Sequence, residues 1–218
     1  MKLQGAIFDL DGTLLDSMFI WDTLGVDYLV SLGKTPKPGL KEQLRPMSLD
    51  QVAHLFIEEY GVERSVEEIK AGVNRMVEHF YFEVVQPKPG VPEFLAWVKQ
   101  QKVRTCIVTA SDRYVVEAAL QRTGLLPYIE RIFTCEEFGK AKNEPDIFLH
   151  AREYLGTPLE NTYVFEDIYL AIQTAKQAGF GVIAVYDATS ANHSAEIAKI
   201  ADRYITSFTG LETFFQDE

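Results

Sequence analysis

Six short apolar runs, each closed by turn residues and separated by helical patterns, constrain what this chain can become. They lie at 3–9 (LQGAIFD), 103–109 (VRTCIVT), 131–134 (RIFT), 162–166 (TYVFE), 181–185 (GVIAV) and, more weakly, 203–205 (RYI). Most are apolar on both faces, as strands are when helices cover a sheet on both sides. The segments between them carry helix signals. Residues 91–101 read as a helix, and 112–123 place Val115, Val116, Ala119 and Leu120 on one face before Gly124 stops the pattern. Residues 145–155 open with Pro145 and Asp146, and 168–178 end at Gly179. Strand and helix alternating at this pitch predict an α/β fold built on a doubly wound parallel sheet.

One region breaks the alternation. From about 16 to 85 no strand pattern occurs. Trp21, Leu24, Tyr28 and Leu32 repeat at helical spacing, Leu49, Val52, Phe56 and Tyr60 do so again, and a third helix is predicted from about 65 to 85. The expected organisation is therefore an α/β core made of 1–15 and 86–218, with an all-helical insertion at 16–85. The second crossing, QPKPGVPEF at 86–94, is a Pro/Gly-rich hinge candidate.

Composition narrows the partners. The 218 residues are 47% hydrophobic and 12% aromatic, enough for a packed globule, and the formal net charge of −11 disfavours nucleic acid and anionic membranes as main partners. A small anionic substrate stays possible, because one site can be positive on an acidic protein. Cys106 and Cys135 make no disulfide framework. Cys106 reads as a small core residue and Cys135 as a free thiol. No basic leader with a cleavage site and no run long enough to span a bilayer is present. The expectation is a cytoplasmic protein, a monomer or weak homodimer.

Ligands of open parallel sheets bind at the carboxyl ends of the strands. The first run ends in Asp9 and leads to Asp11, the second ends in Thr109 to Ser111, and the run at 162–166 ends in Glu166 and Asp167. Lys142 precedes the helix that begins near Pro145. Carboxylates this close repel, and each is costly to remove from water. A hard divalent cation with oxygen ligands, best suited by Mg2+, would remove that repulsion among Asp9, Asp11 and Asp167 and draw in a phosphate. Lys142 and Thr109 would then donate to phosphate oxygens. Each residue also has a plainer reading: Asp9 and Asp11 as a strand-end turn, Lys142 as a solvated charge, Asp167 as a helix cap.

The stretches DLDGTLLDS, VTAS, KNEPDIF and VFED resemble, in order and spacing, the four motifs of the haloacid dehalogenase (HAD) superfamily. With the helical insertion after the first strand, the chain is similar to the β-phosphoglucomutase-like phosphatase branch, whose insertion is a cap. The resemblance implies that Asp9 is a nucleophile that becomes an aspartyl phosphate. It implies that Asp11 is the general acid and base, with its main-chain carbonyl a metal ligand. Thr109 and Lys142 resemble the phosphate-binding hydroxyl and lysine, Ser111 a substrate-binding neighbour, and Glu166 with Asp167 the metal-binding acidic pair. Asp11 favours phosphate esters, because the dehalogenases and phosphonate hydrolases of the superfamily lack this second aspartate. Ile168 and Ala171 depart from the usual Ser and Gly, and Asn143 from a usual Pro; Lys140 is a nearby competitor for the lysine role.

The cap is expected to choose the substrate through Trp21, Lys41 and Arg45. The stretch LKEQLRPMSL resembles the substrate loop of β-phosphoglucomutases, which makes a phosphosugar mutase the alternative. The mutases carry a histidine where Trp21 stands and a lysine near Ala71, while His54 and His79 fall on later helices. These differences favour a magnesium-dependent phosphatase of a small phosphorylated metabolite, such as a sugar phosphate. A metal-binding interaction module with weak activity is the reading from outside enzymology.

Overall fold

The structure, a computed structural model, describes residues 2–215. It divides into two compact units. Among the described residues, one comprises those up to Ser17 together with those from Val85 onward, and the other is Met18–Val84.

The larger unit is built on strands β1 (Gly5–Phe8), β4 (Arg104–Thr109), β5 (Arg131–Thr134), β6 (Thr162–Glu166), β7 (Gly181–Val185) and β8 (Arg203–Ile205). Their order in the sheet is β5-β4-β1-β6-β7-β8, and every pairing is parallel. This is the doubly wound α/β sheet expected from the apolar runs. Its crossovers contain α5 (Val91–Gln100), α6 (Arg113–Arg122), α7 (Cys135–Phe138), α8 (Asp146–Leu155), α9 (Tyr169–Gln177) and α10 (Ser194–Ile200).

All four residues of β1 are buried, because it is central and covered on both faces. On one face Ile7, Cys106, Val108, Val164 and Val182 pack with Ile147, Phe148 and Ala151 of α8 and Ile172 of α9. On the other, the Phe8 ring lies 4.5 Å from that of Phe165 and 6.5 Å from that of Phe94, between centroids. Both cysteines are free, and burial pushes the Cys106 thiol far above its usual range, so it behaves as a small apolar side chain.

Two further strands, β2 (Leu15–Asp16) and β3 (Gln86–Pro87), form an antiparallel ribbon where the chain leaves and re-enters this unit. Within the hinge candidate at 86–94, the residues beyond β3 are tied to the loop after β8. Phe208 N–H donates to Pro89 O at 2.9 Å. Gly90 sits at φ +82°, and a Cβ there would lie 2.3 Å from the Thr209 nitrogen. Only glycine fits both the backbone angle and that approach.

The Met18–Val84 unit holds α1 (Met18–Ser31), α2 (Leu40–Leu44), α3 (Leu49–Tyr60) and α4 (Val66–His79). Ser48 with Gln51 and Ser65 with Glu68 make reciprocal capping boxes at the starts of α3 and α4. Ile20, Leu24, Tyr28 and Leu29 of α1 are buried with Val52 and Phe56 of α3 and Ile69 and Val73 of α4. Gly72 makes room for the Tyr28 ring, since a Cβ there would stand 2.4 Å from the phenolic oxygen. The third predicted helix ends early: α4 stops at His79 and a π-helical turn, Phe80–Val84, follows.

Candidate active site

The carboxyl end of the large sheet gathers the titratable side chains. Asp9 follows β1 directly, and its N–H donates to Phe165 O of β6 at 2.9 Å, which aligns the two strand ends. Its side chain is 5% exposed. Lys142 comes from the loop before α8 and buries its ammonium between two carboxylates. It donates to Asp9 Oδ1 at 2.5 Å and to Glu166 Oε2 at 2.7 Å. The other Glu166 oxygen, Oε1, accepts the N–H groups of Asp167 and Ile168 at 3.2 and 3.0 Å. Glu166 therefore shapes the turn that carries Asp167 while it holds Lys142. Ile168 contributes its backbone to that turn, and its side chain faces outward.

Asp167 is fully buried. Its Oδ1 accepts from Thr13 Oγ1 at 3.0 Å, and its Oδ2 has no hydrogen-bond partner among the described residues. Carboxylate oxygens of Asp9, Glu166 and Asp167 all lie within 4.8 Å of one another. Burial is the largest influence on Asp9 and pushes its pKa up to about 8, with Glu166 and Asp11 adding to the rise and Lys142 opposing it. Asp167 is raised as well, by burial first and then by Glu166 and Asp9. Burial works against the charge of Lys142, but Asp9 and Glu166 together outweigh it and hold the ammonium protonated. Three buried carboxyl groups around one ammonium cannot all ionise without a further cation, and the orphaned Asp167 oxygen marks the same need. A hard cation fits this donor set.

Asp11 lies two residues on, and its carboxylate is held apart from that cluster by two hydroxyls. Ser17 Oγ donates to Oδ1 at 2.7 Å and Ser111 Oγ to Oδ2 at 2.6 Å. Gly12 N–H donates to Leu15 O at 3.0 Å, closing the turn between them. Thr109, at the end of β4, is fully buried, and its Oγ1 accepts the Ser111 N–H at 3.1 Å. That leaves the hydroxyl proton to be given to another acceptor.

The structure thus brings Asp9, Lys142, Glu166 and Asp167 together, with Asp11 and Ser111 joined beside them. Lys140, the competitor in sequence, is exposed and pairs with Glu144 and Asp146. Trp21, Lys41 and Arg45 belong to the Met18–Val84 unit. Trp21 is half exposed on α1. Lys41 pairs with Asp22 at 3.0 Å, and Arg45 closes α2 by donating its N–H to Lys41 O. Four polar residues of the large unit escaped sequence reasoning: Thr13, Ser17, Lys88 and Asp187. The first two sit inside the DLDGTLLDS stretch and carry hydroxyls within a few residues of the carboxylates, which is the signal that could have found them.

Residues 3–179 match the family model of the haloacid dehalogenase-like hydrolases. A phosphorylated carbohydrates phosphatase of Thermotoga maritima is 25% identical over 185 residues, covering 83% of this chain and 86% of that one. A crystal structure from Thermotoga maritima, provisionally assigned as a β-phosphoglucomutase, superposes with a TM-score of 0.85 at 22% identity, over 99% of this chain and 100% of that one. The HAD-hydrolase YfnB of Bacillus subtilis, solved with magnesium bound, gives a TM-score of 0.75 at 20% identity, over 99% of this chain and 100% of that one. The chain belongs to the haloacid dehalogenase-like hydrolase family.

Proposed function

We propose that this protein is a magnesium-dependent phosphatase of a small phosphorylated carbohydrate, working through a phosphorylated Asp9. The observation that carries the reading is the arrangement around Lys142. One buried ammonium joins Asp9 and Glu166, and the orphaned Asp167 oxygen stands among the same carboxylates. The likeness to a phosphatase of phosphorylated carbohydrates supports the substrate class.

Asp9 and Asp167 would hold the cation together with the main-chain carbonyl of Asp11. When bound, magnesium would neutralise these carboxylates and the charge of a phosphate. The chain's own residues do the rest. An Asp9 oxygen attacks phosphorus as the bond from phosphorus to the ester oxygen breaks. Asp11 gives that oxygen its proton, and Ser17 and Ser111 fix the carboxyl that delivers it. Lys142 and Thr109 donate to the phosphoryl oxygens where charge is spread. Water then attacks phosphorus, Asp11 takes its proton, and the bond from phosphorus to Asp9 breaks, releasing phosphate. Trp21, Lys41 and Arg45 are the proposed selectors of the sugar, the indole by stacking on an apolar ring face.

A phosphosugar mutase would use Arg45 for a second phosphate, but Trp21 stands where the mutases carry a histidine and Ala71 near their lysine. The test is phosphate release from a panel of phosphorylated carbohydrates at millimolar magnesium and in chelator. Magnesium-dependent release is expected. Isomerisation of β-glucose 1-phosphate without phosphate release, given a bisphosphate primer, would overturn the phosphatase reading in favour of a mutase. A folded, metal-loaded protein that released nothing from p-nitrophenyl phosphate would point instead to an interaction module.

A further inference from the structure

The chain's return into the large unit is tied down by an ion pair that takes no part in the chemistry above. Lys88, the residue after β3, has a side chain 9% exposed, and that of Asp187 is 8% exposed. Lys88 Nζ donates to Asp187 Oδ2 at 3.0 Å and to Tyr186 O at 2.7 Å. Asp187 Oδ1 accepts the Thr189 N–H and hydroxyl, at 3.0 and 2.7 Å, so neither partner can turn away. Tyr186 and Asp187 directly follow β7, the sheet neighbour of β6, whose end carries Glu166.

The Lys88 backbone faces the other way. Its N–H donates to Leu14 O at 2.9 Å, and the preceding residues pair as Leu15 with Pro87 and Asp16 with Gln86. Ser17 comes next, and its hydroxyl holds Asp11. A continuous set of contacts therefore runs from the end of β7 through Lys88 and the ribbon to Ser17 and the Asp11 carboxylate. A buried ion pair is seldom the most stable filling for such a space, since apolar side chains of similar volume often do as well. It does supply direction, because an ammonium fixed by two acceptors fixes the backbone that bears it.

We propose that Lys88 and Asp187 are positioning residues for Asp11: their buried pair sets the ribbon, and the ribbon sets the Ser17 hydroxyl that orients the proton donor. The inference rests on the reading of Asp11 as the group that protonates the leaving oxygen. Its signature is dependence on the leaving group. p-Nitrophenolate departs without a proton, whereas the alkoxide of glycerol 1-phosphate does not.

The measurement is kcat/KM for both substrates at saturating magnesium, which covers only the steps through alcohol release. The variants are Lys88→Met and Lys88→Met/Asp187→Asn. The double variant leaves no unpaired buried charge, so it carries the test where the single one does not fold. We expect the glycerol 1-phosphate value to fall about tenfold or more relative to the p-nitrophenyl phosphate value. Equal losses on both substrates, or none, in a folded variant would overturn the inference. Asp11→Asn is the reference. If it leaves the ratio unchanged, the reading of Asp11 itself fails; if it shifts the ratio and the Lys88 variants do not, only the positioning role fails.

Discussion

Replacing Asp9 by Asn should make the metal-free protein more stable while abolishing turnover. Burial, Glu166 and Asp11 push the Asp9 pKa from 3.8 up to about 8 against the pull of Lys142. A carboxyl raised in this way favours folding below its unfolded value and loses that advantage as the pH climbs toward its folded value. At pH 7 the folded protein bears about 4 kcal/mol of the resulting penalty. Asn at position 9 removes it but brings one more buried N–H donor than a protonated carboxyl, and leaving that donor unpaired costs about 2 kcal/mol. The net gain is about 2 kcal/mol, or about 4–8 °C in Tm for a chain of this size. The assay is thermal unfolding of both proteins in chelator at pH 7, repeated with millimolar magnesium. Under magnesium the native Asp9 gains a cation for its charge, so the gap should close or reverse. Asp9→Asn unfolding below the native protein in chelator, or a gap indifferent to magnesium, would refute the account of an over-charged, cation-seeking cluster.

Lys142→Met should act in the opposite sense. It leaves Asp9, Glu166 and Asp167 buried without their ammonium, and a loss of about 3–5 kcal/mol in chelator is expected from denaturant titration, with no measurable phosphatase activity. Thr13→Val removes the hydroxyl that donates to Asp167 Oδ1. Calorimetric titration should show magnesium binding weakened about 10–100-fold, with a stability change of about 1 kcal/mol. Asp187 is buried, which opposes its charge, but the Thr189 and Lys88 donors outweigh burial and lower its pKa. Its contribution is present above its unfolded value of about 4 and is lost as the pH falls through its lower folded value. Unfolding free energies of native protein and Asp187→Asn should therefore differ at neutral pH and converge in acid.

The sheet was legible because two-sided burial writes itself as continuous apolar runs. The stretches at 131–134, 162–166, 181–185 and 203–205 coincide with β5, β6, β7 and β8. Short elements were not legible. The ribbon of β2 and β3 is two residues per strand, and α2 lies just past two prolines, Pro36 and Pro38, so neither gives a periodic signal. The turn Phe80–Val84 continues an apolar helical pattern, and nothing in residue spacing tells a π turn from an α turn. In the site, the carboxylates could be read from strand ends, whereas their second partners could not. Ser111 lies 100 positions from Asp11, Thr13 lies 154 from Asp167, and Lys88 lies 99 from Asp187. Such pairings exist only once the sheet order is known. Lys41 makes the same point in the helical unit, since its tie to Asp22 follows from how α1 and α2 pack.

The strand order has a consequence for how this polypeptide is made. β1 emerges from the ribosome first, yet its two neighbours are β4 and β6, the second of which begins at Thr162. At usual elongation rates the nascent chain waits about ten seconds or more with β1 lacking at least one of its two neighbours. The helices of Met18–Val84 emerge in that interval, and their contacts are local enough to form at once. Asp9 is thus synthesised long before Lys142 and Asp167, and the pocket comes into existence only once both have been made.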